Sequence, residues 1–292
     1  MKQNKVLHWL VPVIGMLSSI AAGIGIFSRG GEGVSSFTTL HGNTVEIYGR
    51  GIYQNDTLFT AAAFRGTDIV TICLIIPLLL ISYFFYRNGS LKAQIFMIGI
   101  LFYFLYNGAS LTFSAAFNSM FLVYTALFSA SLFATIYALV GIDTRDLAER
   151  IQPGFPQRGM AIFLFIAGIG TLFLWLSELI GPILSGKAPE MVGPYTTMFT
   201  HGFDSAVITP AAVLAGVYLL QRKPAGYLLS VPILILCTLI GIVVIGQTIS
   251  QTLEGIVFPV GVYIGMIGSW VVMGAFAIYF TIAYFRKMTI SK

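Results

Sequence analysis

Long uncharged runs separated by short polar connections organise the chain. The runs are Val6 to Phe27, Ile69 to Tyr86, Ala93 to Phe113, Met120 to Ile142, Met160 to Ile180, Ser205 to Leu220, Gly226 to Ser250 and Val260 to Phe285. A hydrocarbon layer about 30 Å thick takes about 20 apolar residues to cross as a helix. The pattern predicts an all-α polytopic membrane protein, with eight transmembrane helices bundled into one integral membrane domain over residues 1–292. The run at 205–220 is the shortest, so its helix can begin inside the preceding loop. Lys2 and Lys5 precede the first run as in a signal peptide, but the run is longer than the usual apolar region of about 7 to 15 residues. It is read as a span.

Residues 28–68 form the one long polar connection, and loops of that length usually fold or function. Thr44 to Tyr48 alternates polar and apolar positions, Gly49-Arg50-Gly51 supplies a turn, and Ile52-Tyr53 resumes an apolar strand, which predicts a short hairpin. A helix over Thr57 to Phe64 follows, capped by Asn55 or Asp56 and stopped at Gly66, with Asp68 capping the second span. The segment reads as a compact extracytoplasmic cap. Asp143 to Ile151 resembles a short amphipathic helix, capped by Asp143 and closed by Pro153 and Pro156, and is read foremost as a linker lying at the membrane surface.

His41-Gly42 and His201-Gly202 recur in equivalent loops, and similar turns follow the second and sixth spans. These echoes permit a duplication of two four-helix halves, 1–142 and 160–285. Gly15, Ser19 and Gly23 in the first span, and Gly261 and Gly265 in the last, form small-residue faces suited to close helix packing, within one chain or between chains. Pro12, Pro77, Pro210, Pro232 and Pro259 predict local kinks.

Composition removes the soluble alternatives. Hydrophobic residues make up 57% and charged residues 9% of the chain, against about 25% charged in soluble domains. Its mean hydropathy is +0.88. The net charge of +5 comes from basic residues scattered singly or in pairs, which excludes a nucleic-acid stripe. Cys73 and Cys237 lie in apolar runs, remote from any disulfide or thiolate-metal spacing. Twelve basic residues fall on the side of the termini: Lys2, Lys5, Arg87, Lys92, Arg145, Arg150, Arg158, Arg222, Lys223, Arg286, Lys287 and Lys292. Only Arg29, Arg50, Arg65 and Lys187 fall opposite. The positive-inside bias therefore predicts a multi-pass cell-membrane protein with both termini cytoplasmic. With the acidic residues added, the inner side carries +9 and the outer side −4.

Candidate chemistry follows from the same partition. The interior of the spans lacks a central carboxylate relay, which argues against a proton pump. Glu178, near the outer end of the fifth span, sits where a helix C-terminus disfavours an anion, so a cation, a proton or a hydrogen-bond donor is expected beside it. Tyr103, Tyr106, Asn107 and Ser110 share one face of the third span, with Asn118 and Tyr124 across a short turn. They suit a pocket lining, and equally an aromatic belt with interhelical packing. Arg50 and Arg65 have acidic neighbours in sequence in Glu46, Asp56 and Asp68, which suit an ion-pair network or a site for a lipid headgroup. His201 and Asp204 are one helical turn apart and, with His41, are candidate ligands of a divalent metal, although Asp204 equally suits a helix cap.

These residues support a membrane protein that binds, senses or translocates a small molecule or lipid headgroup in an outward-facing pocket. Its candidates are Tyr103, Tyr106, Asn107, Asn118, Glu178, Glu46 and Arg65. Two alternatives stand beside it. One is a hydrolase or transferase of the outer leaflet, metal-dependent through His41, His201 and Asp204; the other is an assembly or scaffold subunit with a protein partner or a second copy. The bilayer is the one partner the sequence fixes. Single-cysteine variants at Glu46 and Asn118 should label with impermeant maleimide from outside intact cells, and one at Arg145 only after permeabilisation; the reverse pattern would invert the topology.

Overall fold

The computed structural model describes residues 4–289. Lys2 and Lys292, counted in the charge asymmetry, lie outside the described residues. Among those described, eight helices are long and apolar enough to cross a membrane: α1 (Lys5–Phe27), α2 (Leu58–Arg87), α3 (Leu91–Ser114), α4 (Phe121–Val140), α5 (Gln157–Leu184), α6 (Phe199–Leu220), α7 (Pro224–Leu253) and α8 (Val260–Arg286). The expected all-α bundle and its inserted cap are both present. An even number of crossings brings the two ends of the chain to one side, where Ile151 pairs with Met288 and Lys92 Nζ donates to the Phe285 carbonyl over 2.8 Å. There Asp143 caps a short helix, Thr144–Glu149, as expected.

Helices α3 and α7 form the centre: 78% and 67% of their apolar windows are buried, against 18–39% for the other six. In the first half α1 packs on α2 and α4, and α3 on α2 and α4; in the second α5 packs on α6 and α8, and α7 on α6 and α8. Helix α7 joins the halves by packing on α2 and α3.

The close approaches fall at glycines other than those of the expected small-residue faces. A Cβ on Gly66 would lie 2.5 Å from the Gly246 carbonyl oxygen, and one on Gly241 would lie 2.9 Å from the Gly274 Cα. Gly15, Gly23, Gly261 and Gly265 have nothing near enough to meet a Cβ. Those faces therefore do not bring helix backbones together within the chain. Spacing alone cannot tell which side of a helix meets a neighbour.

Helix α2 starts eleven residues before the expected Ile69. Thr57, rather than Asn55 or Asp56, is its N-cap, accepting from the Thr60 amide. Gly66 is no helix stop: it sits inside α2 where α7 crosses. Asp68 likewise is no cap, being 2% exposed within the helix. Helix α6 starts at Phe199, so Asp204 is inside it too. In both helices a π-helical turn, Thr71–Ile75 or Asp204–Ile208, precedes a proline, Pro77 or Pro210. A proline ring clashes with the carbonyl four residues earlier, and widening that turn relieves the clash while the helix continues.

The cap hairpin pairs β1 (Ser35–Thr38) with β2 (Thr44–Ile47), with Ser35 opposite Ile47 and Thr38 opposite Thr44. The expected second strand at Ile52-Tyr53 is instead a single 3-10 turn, Gly51–Tyr53. It tucks against the end of α1, where the Ile52 amide donates to Ser28 Oγ over 2.8 Å.

Gly66→Leu forces α2 from α7 and should cost about 1–3 kcal/mol of stability. Gly23→Ala, in open space, should stay within about 0.5 kcal/mol of the parent. Thermal unfolding in detergent reads both, and equal midpoints would show that α2 and α7 do not meet at Gly66.

Candidate functional site

The π turn of α6 sets the floor of a cavity of about 650 Å³ between the cap and the helices. Asp204 opens that turn at 4% exposure. Its Oδ2 accepts from Trp175 Nε1 of α5 over 3.0 Å, and the Tyr106 hydroxyl of α3 approaches the same carboxylate. His201 lies one turn earlier and packs against Trp175, with ring centroids 4.0 Å apart. Its Nε2 is 2.9 Å from Glu178 Oε2 and its Nδ1 is 3.2 Å from Thr200 Oγ1. The partner expected beside Glu178 is thus His201. Trp270 of α8 stands 6.2 Å from Trp175, and Phe203 packs edge-on against Tyr106 at 5.6 Å.

A second polar knot lies deeper in the first half. The Tyr53 hydroxyl of the cap donates to Asp68 Oδ2 over 2.8 Å, and Gly25 of α1 leaves no space for a Cβ beside that carboxylate. Thr71 Oγ1 and the Tyr103 hydroxyl are 3.0 Å apart. Thr67 Oγ1 accepts from Gln247 Nε2 of α7 over 2.9 Å. The expected placing of Asp68 and Asp204 as caps at helix starts is therefore corrected: both are within helices, each satisfied by an aromatic donor from elsewhere in the chain.

Two further contacts fasten the cap. Glu254, at the end of α7, accepts from Arg65 of α2 at 2.7 Å, from the Tyr48 hydroxyl at 3.2 Å and from Arg50 at 3.5 Å. Arg65 and Arg50 thus pair with a residue 189 and 204 positions away, not with Glu46, Asp56 or Asp68. At the other point Asp56 Oδ1 accepts from the Ala116 amide over 2.8 Å and from the Tyr195 hydroxyl over 2.9 Å. Asp56 Oδ2 is buried with no partner among the described residues. Burial pushes the Asp56 carboxyl from 3.8 up to about 6, against the pull of those two hydrogen bonds. Burial, and then the neighbouring Asp56, raises the Tyr195 phenol.

Of the pocket candidates, Tyr103, Tyr106 and Asn107 line the cavity, as does Ser110, and Glu46 lies at its edge on β2. Glu178 stands behind His201, Arg65 belongs to the Glu254 clasp, and Asn118 is outside the lining, where its Oδ1 accepts from the Met120 amide just before α4. Of the metal candidates, His201 and Asp204 line the cavity, whereas His41 is exposed in the hairpin turn. Among the described residues no three His, Cys, Asp or Glu side chains are grouped to hold a metal ion. Trp175, Trp270, Gln247 and Glu254 were not anticipated. Gln247 had a readable signal, an amide in the middle of an apolar run, whereas the tryptophans resemble ordinary span residues.

A carboxyl that binds its proton more tightly when folded adds stability below its unfolded pKa and loses it as pH rises through the folded value. For Asp56 that window runs from 3.8 to about 6, and the gap corresponds to on the order of 3 kcal/mol. Asp56→Asn keeps the acceptor at Oδ1 and replaces the unpartnered oxygen. Thermal unfolding between about pH 4 and about pH 7 should show the parent losing more stability than Asp56→Asn, by on the order of 3 kcal/mol. Parallel curves would remove Asp56 as a titrating group.

The chain matches no known protein-family model, no curated protein and no solved structure.

Proposed function

We propose that this polytopic membrane protein binds a small molecule in the cavity beneath its cap, from the side opposite the termini. The observation that carries this reading is the cavity itself. At about 650 Å³ it falls within the range of about 300–1,000 Å³ common for small-molecule sites. Its wall is mainly aliphatic and aromatic, with polar side chains among them that include Asp204, His201, Asn107 and Gln247. That composition orients a ligand through a small number of polar contacts while apolar area supplies affinity.

A lipid headgroup with a phosphate is the weaker candidate. Phosphate recognition calls for arginine or lysine, and neither lines the cavity, while Arg50 and Arg65 are engaged by Glu254. The charge bias of the loops supports an extracytoplasmic cap. The proposal also treats 1–142 and 160–285 as two related halves. Matching neighbour relations, and a π turn before a proline in the second helix of each, support that relation.

Val244 lines the cavity from α7, and Val244→Trp would fill part of it. Native mass spectrometry of protein extracted in mild detergent should find small-molecule adducts on the parent chain and their loss from Val244→Trp at an unchanged thermal midpoint. Adducts retained by both chains would place the bound molecule elsewhere.

A further inference from the structure

We infer that the ligand of this cavity is an organic monocation carrying an aromatic or aliphatic body, its charged nitrogen seated beside Asp204 among the rings of Trp175, Tyr106 and Trp270. This rests on the cavity being a binding site, and adds the charge and chemical class of what enters it.

The electrostatics of the wall are one-sided. Its lining includes three carboxylates, Glu46, Glu190 and Asp204, and neither lysine nor arginine. Of the arginines in residues 28–68, Arg50 and Arg65 are paired with Glu254, and neither Arg29 nor Glu254 is part of the wall. His201 directs its Nε2 to Glu178. Glu46 and Glu190 are exposed to water, whereas Asp204 is buried, so an anionic ligand would meet like charge and a neutral one would leave Asp204 without a counterpart.

Asp204 marks the depth at which the positive charge belongs. Its carboxylate is satisfied by neutral donors, an indole N–H and a phenol, and among the described residues no ion pair reaches it. A buried carboxylate in that setting lacks a countercharge, which is costly in a low-dielectric interior. A cationic ligand supplies it.

The aromatic groups complete the preference. Aromatic ring faces carry negative charge density and attract a cation within about 6 Å, with tryptophan the strongest. Trp175 and Trp270 stand 6.2 Å apart at an interplanar angle of 33°, and Tyr106 reaches the same carboxylate from α3. This is a lining for a weakly hydrated organic ammonium rather than for a small metal ion, whose oxygen-ligand shell the aliphatic and aromatic wall does not offer.

The chain carries its own reporter. Of its three tryptophans, Trp175 and Trp270 line the cavity, whereas Trp9 is 78% exposed on α1. In a Trp9→Phe background reconstituted into nanodiscs, intrinsic fluorescence reads the cavity alone. The probes are benzyltrimethylammonium, its neutral isostere neopentylbenzene and the anion phenylmethanesulfonate, which share one aromatic body. Benzyltrimethylammonium should quench saturably and bind at least about tenfold more tightly than the other two. Asp204→Asn should bring its affinity down to that of neopentylbenzene while leaving the neutral probe unchanged. Equal affinity of the cation and its isostere in the parent chain would overturn the charge assignment and leave the cavity as a binding site. Tighter binding of the sulfonate would overturn it as well. If none of the three bound saturably, both the inference and the binding reading would fall. The three-probe comparison on the Asp204-bearing chain decides the question even if Asp204→Asn fails to fold, and full affinity in a folded Asp204→Asn would remove Asp204 as the anchor.

Discussion

Hydrocarbon offers no water to an unpaired polar group, and the interior of this bundle is arranged around that constraint. Asp68 and Asp204 lie inside helices, where each needs a donor from another segment. Tyr53 reaches Asp68 from the cap, and Trp175 reaches Asp204 from α5. The same demand explains the shape of the neighbouring backbone. Gly25 leaves room for the Asp68 carboxylate to approach α1, and the π turn beginning at Asp204 carries its side chain toward the cavity lined by Trp175 and Tyr106.

Hydropathy made the architecture legible because a membrane-spanning helix is a long, local signal. The eight apolar runs corresponded to eight helices, and the long polar connection was a folded insert. The misplaced helix starts share one cause. Asp68 and Asp204 resemble caps when only sequence neighbours are considered, since a short polar side chain beside an apolar run is the common N-terminal signal. Their true partners are 15 and 29 residues away. The small-residue faces failed for a related reason: Gly15 and Gly23 have helical spacing, but spacing carries no information about which neighbour a face meets. Gly66 and Gly246 pack together across 180 residues of intervening chain.

The candidate site was only half legible. The face of α3 formed by Tyr103, Tyr106, Asn107 and Ser110 follows from a period of three and four residues, and all four line the cavity. His201 and Asp204 were grouped by their one-turn spacing, but their chemistry depends on α5, through Trp175 and Glu178. No local pattern links a tryptophan in one span to an aspartate in the next. Nor does any local rule single out Glu254 as the residue that Arg50 and Arg65 would both meet.

The Glu254 and Asp56 fastenings of the cap differ in how they answer their surroundings. The Glu254 clasp joins fixed charges, with the Glu254 side chain 17% and the Arg65 side chain 32% exposed, so water and salt reduce its energy. The Asp56 latch is buried and couples the cap to both the α3–α4 turn and the segment carrying Tyr195. That segment contributes Tyr195, Met198 and Glu190 to the cavity wall, while β2 contributes Val45 and Glu46. Asp56 therefore holds together elements that each contribute to the cavity wall, without lining the cavity itself. A carboxyl with one unpartnered oxygen is a costly way to make such a joint if rigidity is the only requirement, because a neutral amide would offer an acceptor without the buried charge. The latch ties the wall of the cavity to a single buried side chain.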